Sequence, residues 1–208
     1  MKSNWKNPPW YSSYEKNNYG ELFYSLMHIY QPAKVVELGT KAGYSAYHIA
    51  RGLKANGKGT LDCYDLWEKY EFNSVPKSVA EKNLKNYQNI VKFKLRNVIG
   101  VDKLYRSVDI LHIDLGNEGG ILENIIPRWI DKVNQFIIIE GGSGERDRVE
   151  WITKYNKIPV RKWLAEFRQK HKDIECITLE PFPSITILKK YRINALNEEF
   201  KQRKTIKL

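Results

Sequence analysis

The chain has 208 residues, 42% of them hydrophobic and 28% charged, a globular balance in a length that can bury a core without disulfide or metal staples. No apolar run reaches membrane-spanning length and the first residues lack the apolar stretch of a secretory leader, so the expectation is a cytoplasmic protein with no membrane partner. The net charge of +11 favours anionic partners and keeps nucleic acid among them, but the lysines are scattered over predicted helix faces and only the tail concentrates basic residues.

The elements follow in order. Residues 1–16 carry Trp5, Trp10, Tyr11 and Tyr14 around Pro8-Pro9 and read as an aromatic arm that packs on the domain or on a second copy of the chain. Residues 20–30 have helical spacing (Leu22, Phe23, Leu26, Ile29) and Pro32 stops them. Strands are then expected at 34–38, 59–65, 90–95, 108–113 and 136–139, separated by helices at 44–53, 79–87 and 120–130. Helical material at 146–155 and 161–171 precedes a last strand pair, 174–179 and 184–188, joined by Pro181-Phe182-Pro183. Cys63 and Cys176 fall within strands and read as small core hydrophobes. Alternating strands and helices imply an α/β fold with a doubly wound, mostly parallel sheet. The last pair must be antiparallel, because a parallel crossover needs a dozen or more residues. A basic tail, 191–208, closes the chain.

The first strand runs into Glu37-Leu38-Gly39-Thr40-Lys41-Ala42-Gly43-Tyr44-Ser45. Open α/β sheets bind ligands beyond the carboxyl ends of their strands, and Gly39 and Gly43 let backbone pass close to one. The spacing is not the G-x-G-x-x-G that cradles a pyrophosphate, and the carboxylate of Glu37 suits a cationic ligand better. Asp65 ends the second strand, where an acidic side chain can accept from both ribose hydroxyls, and Trp67 is placed to stack on a base. Each feature has a bland reading, a common turn or a helix cap; together, in order, they favour a nucleoside-containing ligand.

On these residues a resemblance can be named. The run from Glu37 to Ala46 resembles the first motif of catechol-type small-molecule O-methyltransferases. Val108-Asp109-Ile110-Leu111-His112-Ile113-Asp114 resembles the fourth strand of the group that includes macrocin O-methyltransferases and cephalosporin hydroxylase-like proteins. The likeness covers residues 20–140 and implies a class I methyltransferase, Rossmann-like, occupying residues 17–190. It implies S-adenosylmethionine as cofactor, with Glu37, Gly39, Gly43 and Ser45 at the methionine moiety, Asp65 at the ribose and Asn97 near the adenine.

Methyl transfer from a sulfonium asks the protein to align two reactants and remove a proton. The resemblance places metal ligands where this chain has Asp114 and Glu140, so these two are the expected catalytic residues and the expected ligands of Mg²⁺. The pattern then breaks, because Gly141 stands where a further oxygen ligand is expected and Asn117 replaces a histidine. His112 is either a base or a buried structural histidine. Arg146, Arg148, Arg161, Lys162 and Arg168 either pair with an anionic acceptor or line a solvated helix face. The expected activity is O-methylation of a small hydroxylated acceptor, a sugar or glycoconjugate by the company the fourth strand keeps. A nucleic-acid methyltransferase and a non-catalytic cofactor binder are the alternatives. The first lacks an Asn-Pro-Pro-Tyr-like tetrapeptide; the altered Asn117 and Gly141 motivate the second.

Overall fold

The computed structural model describes residues 10–71, 73 and 75–191; Trp5, the Pro8-Pro9 pair and the tail beyond Tyr191 lie outside them. Seven strands form one sheet: β1 Lys34–Leu38, β2 Thr60–Asp65, β3 Val91–Leu95, β4 Val108–Ile113, β5 Val133–Glu140, β6 Ile174–Leu179 and β7 Ile185–Lys190. Their order is β3-β2-β1-β4-β5-β7-β6. The first five are parallel, while β7 pairs antiparallel with both β5 and β6. The expected hairpin is there in register, Ile177 opposite Ile187.

Helices cover both faces: α1 Tyr19–Tyr30 and α2 Tyr44–Ala55 on one, α4 Gly119–Trp129 and α6 Val160–Lys170 on the other, with the short α3 Lys77–Asn83 between β2 and β3 and the short α5 Glu150–Lys154 before α6. The two cores follow from the period of two along each strand. Val36, Leu38, Leu111, Ile113, Ile137 and Ile139 face α4 and α6, meeting Leu122, Ile126, Trp129 and Phe167. Val35, Ile110, Phe136 and Ile138 face α1 and α2, meeting Phe23, Met27, Ile49 and Leu53. The expected helices over 79–87 and 146–155 are each broken. The first becomes α3 plus a 3-10 turn at Lys85–Tyr87, and the second a 3-10 turn at Arg146–Arg148 before α5. Cys63 is buried but Cys176 only partly so, because β6 is an edge strand with one side open.

Trp10 and Tyr14 of the aromatic segment pack on the domain. Trp10 meets Tyr44 and Tyr47 at centroid distances of 5.8 and 5.1 Å, and Tyr14 meets Phe23 at 5.2 Å. A 3-10 turn at Ser13–Asn17, capped by the Ser12 and Glu15 side chains, brings this segment across the carboxyl ends of the strands. Among the described residues no helix is long and apolar enough to cross a membrane.

Candidate active site

A cavity of about 710 Å³ opens beyond the carboxyl ends of β1, β2 and β4, within the range of small-molecule sites. The turn after β1 forms one wall. Gly39 has φ +88°, and a Cβ there would stand 1.9 Å from the Asp114 carbonyl oxygen, so only glycine lets this turn lie against the end of β4. Asp65 holds the turn in place: its Oδ2 accepts from the backbone amides of Thr40 and Lys41 at 2.8 and 2.7 Å, and its Oδ1 from that of Trp67 at 2.8 Å. Gly39, Asp65, Asn97 and Asp114 all line the cavity, beside apolar Leu66, Val98 and Ile99.

The other expected cofactor residues stand outside the lining. Trp67 is fully buried, its Nε1 donating to Lys41 O at 2.9 Å and its ring edge-on to Phe93, so the indole props the turn from beneath. Tyr70, which the sequence reading passed over, supplies the aromatic lining, and Arg128 and Asn124 of α4 supply a polar rim. No local pattern marks these residues, because they reach the cavity only through packing. Gly43, at φ +86°, opens α2, and a Cβ there would meet Leu84 at 2.6 Å. Glu37 and Ser45 are buried behind the turn.

Glu37 belongs to a buried polar chain. Its Oε1 accepts from Ser45 Oγ at 2.6 Å and lies 3.0 Å from His112 Nδ1, while His112 Nε2 lies 3.3 Å from the Tyr14 hydroxyl. Of the two readings of His112, the buried structural one fits these contacts. Glu37 Oε2 has no partner.

Asp114 and Glu140 do come together. Along β4 the residues facing α1 and α2 are Ile110 and His112, and the same alternation carries to Asp114; along β5 it carries from Phe136 and Ile138 to Glu140. Ile113 pairs with Ile139, so the next positions meet across the strand ends. Burial, followed by the charge and hydrogen bond of Glu140, holds the Asp114 carboxyl well above the usual carboxylate range. The phenol of Tyr14 is also pushed up, by burial first and by the carboxylates of Asp114, Glu140 and Glu37. Glu140 accepts from Ser13 Oγ at 2.7 Å and from the Asn117 side-chain amide, Asn117 holding φ +47°.

This donor set lends the expected Mg²⁺ no support. Mg²⁺ is held octahedrally by one or two carboxylates with waters and substrate oxygens, whereas here two hydrogen-bond donors, Ser13 Oγ and the Asn117 amide, already point at Glu140. Gly141 adds no ligand, and among the described residues no three His, Cys, Asp or Glu side chains are placed to hold a metal ion.

The sequence profile of a family described as a methyltransferase domain matches residues 36–139, half of the chain. No curated protein sequence matches. Among solved structures, an O-methyltransferase from Bacillus cereus in complex with SAH is 16% identical, with 84% of this chain and 81% of that one covered at a TM-score of 0.63. The O-methyltransferase TomG from Streptomyces achromogenes, in complex with SAM, is 14% identical with 86% of each chain covered, also at 0.63. The SAH-bound methyltransferase PaMTH1 from Podospora anserina is 14% identical, with 83% and 77% covered, at 0.62. At these identities the structures speak for the fold. With the profile spanning β1 to β5 and the sheet order agreeing, the chain belongs to the methyltransferase-domain family.

Proposed function

We propose that the protein is an S-adenosylmethionine-dependent O-methyltransferase acting on a small hydroxylated acceptor. One observation carries the reading: the cavity under the Gly39 turn and the Asp114–Glu140 pair share Asp114 as a common wall. A ligand in the cavity therefore ends at a proton-holding carboxyl.

The residues present fit this cofactor. Asp65 lines the cavity with lone pairs left over after its three backbone bonds and would hold the ribose. Asn97 and the ring of Tyr70 would flank the base. The unpartnered Oε2 of Glu37 leaves negative charge without a donor beneath the turn, which favours a cationic amino-acid end over a pyrophosphate. When bound, the cofactor supplies a methyl group already activated by its sulfonium. What remains for the chain is to orient an acceptor hydroxyl and take its proton. Asp114, with Glu140 beside it and Ser13 and Asn117 fixing Glu140, is the group positioned to do so. No step needs a metal. Structural neighbours that are small-molecule O-methyltransferases support the acceptor class; a sugar or glycoconjugate acceptor rests on the fourth-strand resemblance.

Calorimetry with S-adenosylhomocysteine tests the first half. Saturable binding is expected, weakened by roughly 1–3 kcal/mol in Asp65→Ala, the scale for polar groups left unpaired. Undiminished affinity in that variant would show that the ribose does not sit at Asp65. Incubation with labelled cofactor and panels of hydroxylated acceptors, with and without EDTA, tests the second. Transfer that survives EDTA is expected, and loss of transfer on chelation, restored by Mg²⁺, would reinstate a metal.

A further inference from the structure

The region beside Glu140 and away from the cofactor cavity contains a second constellation, at the junction of three segments. The loop after β5 carries Gly141 and Arg146; the β6–β7 turn carries Phe182; the 3-10 turn at Ser13–Asn17 carries Lys16. The segments are tied together: Asn17 Nδ2 donates to the carbonyls of Pro181 and Pro183 at 3.1 and 3.0 Å, and Phe182 N donates to Glu145 Oε2 at 3.2 Å. Two of them touch the acid pair directly, since Ser13 donates to Glu140 and Gly141 follows it in the chain.

Within this junction two cations are aimed at one aromatic ring. The Arg146 guanidinium lies 5.8 Å from the centroid of Phe182 and 5.5 Å from that of Trp151, and Lys16 Nζ lies 5.7 Å from Phe182. Gly141, at φ +101°, turns the chain beside the arginine, and a Cβ there would stand in ordinary contact, 3.8 Å from Arg146 Cγ. The Nε of Arg146 is buried and has no hydrogen-bond partner. Neither cation forms an ion pair among the described residues. Of the nearby carboxylates, Glu145 accepts from Phe182 N and Asp147 from Arg161 N; Asp147 feels the charge of Arg146 but makes no ion pair with it. A guanidinium fixed between two rings, partly desolvated and without an ion-pair partner, is preorganised for a planar oxyanion, which it can grip through paired N–H groups.

We propose that Arg146, seconded by Lys16, binds an oxyanion of the methyl acceptor, a carboxylate or a phosphate, and so sets which hydroxyl is presented to Asp114. The proposal rests on the reading of the chain as a methyltransferase. It adds to that reading that the acceptor is an acid. Trp151 and Phe182 hold the guanidinium in place, and Lys16 answers the remaining charge from the opposite segment.

The test titrates benzoate, phenyl phosphate and benzyl alcohol into the protein loaded with S-adenosylhomocysteine, with dissociation constants read by ligand-observed NMR. At least one of the two anions should bind saturably, about tenfold or more tighter than the alcohol, the scale of a hydrogen bond to a charged group. The tighter of the two identifies the oxyanion. Arg146→Gln should bring the anion down to the level of the alcohol, Arg146→Lys should keep part of the preference, and Lys16→Gln should cost less than Arg146→Gln. Equal binding of all three probes, binding of neither anion, or undiminished anion affinity in Arg146→Gln would each overturn the proposal. S-adenosylhomocysteine affinity, measured in every variant, reports folding, and Arg146→Lys carries the test if Arg146→Gln does not fold. If the wild-type protein fails to bind S-adenosylhomocysteine, the methyltransferase reading falls. The same titration without it still decides whether Arg146 holds an anion.

Discussion

In the proposed reaction Asp114 is the side chain that takes the acceptor's proton. Burial and the neighbouring Glu140 hold its carboxyl protonated well above the usual range, so the base form appears only as pH rises, and the rate of transfer should climb with it. The same shift affects stability with a definite sign. The native state binds the proton more tightly than the unfolded chain, whose aspartates titrate near 3.9, so the contribution is fully present below that pH and is lost as pH rises through the raised native value. Asp114→Asn, which cannot ionise, should therefore gain in melting temperature over the wild type as pH is raised from acid to neutral; a constant difference across that window would show that Asp114 titrates normally. The same variant should lose about 10²-fold or more in turnover while keeping its affinity for S-adenosylhomocysteine. Gly39 is the second residue that one substitution tests. Alanine there combines φ +88° with a Cβ 1.9 Å from the Asp114 carbonyl, so at least about 1–3 kcal/mol of backbone strain and a displaced β4 end are expected. A Gly39→Ala protein with the wild-type melting temperature and cofactor affinity would refute that account.

At the scale of elements, the segment before α1 completes the site. Its 3-10 turn places Ser13 on Glu140 and Tyr14 on His112, while Lys41 Nζ donates to Tyr11 O at 2.8 Å. Trp10 anchors it, buried against Tyr44 and Tyr47 at the start of α2. Trp10→Ala should cost about 3–5 kcal/mol by denaturant titration, the range for large aromatics removed from a core. Its effect on the Ser13 contact should appear as reduced turnover. A loss below about 1 kcal/mol would mean that the segment merely rests on the domain. The element boundaries that the sequence missed have local causes. α3 ends where Leu84 leaves helical geometry at φ −104° and ψ 19°, and Val149, in extended conformation ahead of α5, separates that helix from the 3-10 turn before it. Periodicity alone ran through both breaks.

At the scale of the whole molecule, β7 inserts between β5 and β6, so a late segment of the chain becomes the antiparallel neighbour of the strand that ends in Glu140. Leu188, opposite Ile137 and fully buried, ties this last pair to the main core. Leu188→Ala should cost about 2–5 kcal/mol and lower the single melting transition as a whole; a separate early transition would show the pair to be an independent unit. The sequence by itself determined the strands, their alternation with helices, the antiparallel end and the glycine turn, because each is written in local periodicity, residue preference and connection length. It also brought Asp65 and Asp114 to the cavity, since residues at strand ends share one crevice in such sheets, while Asn97 was implied by the family resemblance. Only the tertiary structure decided that Trp67 lies under the turn while Tyr70 faces the cavity, that burial and Glu140 hold the Asp114 carboxyl well above its usual range, and that Ser13 reaches Glu140 while Lys16 and Arg146 gather on the Phe182 ring. Those contacts join different elements, Trp67 to Lys41 across 26 positions and Ser13 to Glu140 across 127, through side-chain direction and burial, and neither is encoded in the spacing of residues along one strand.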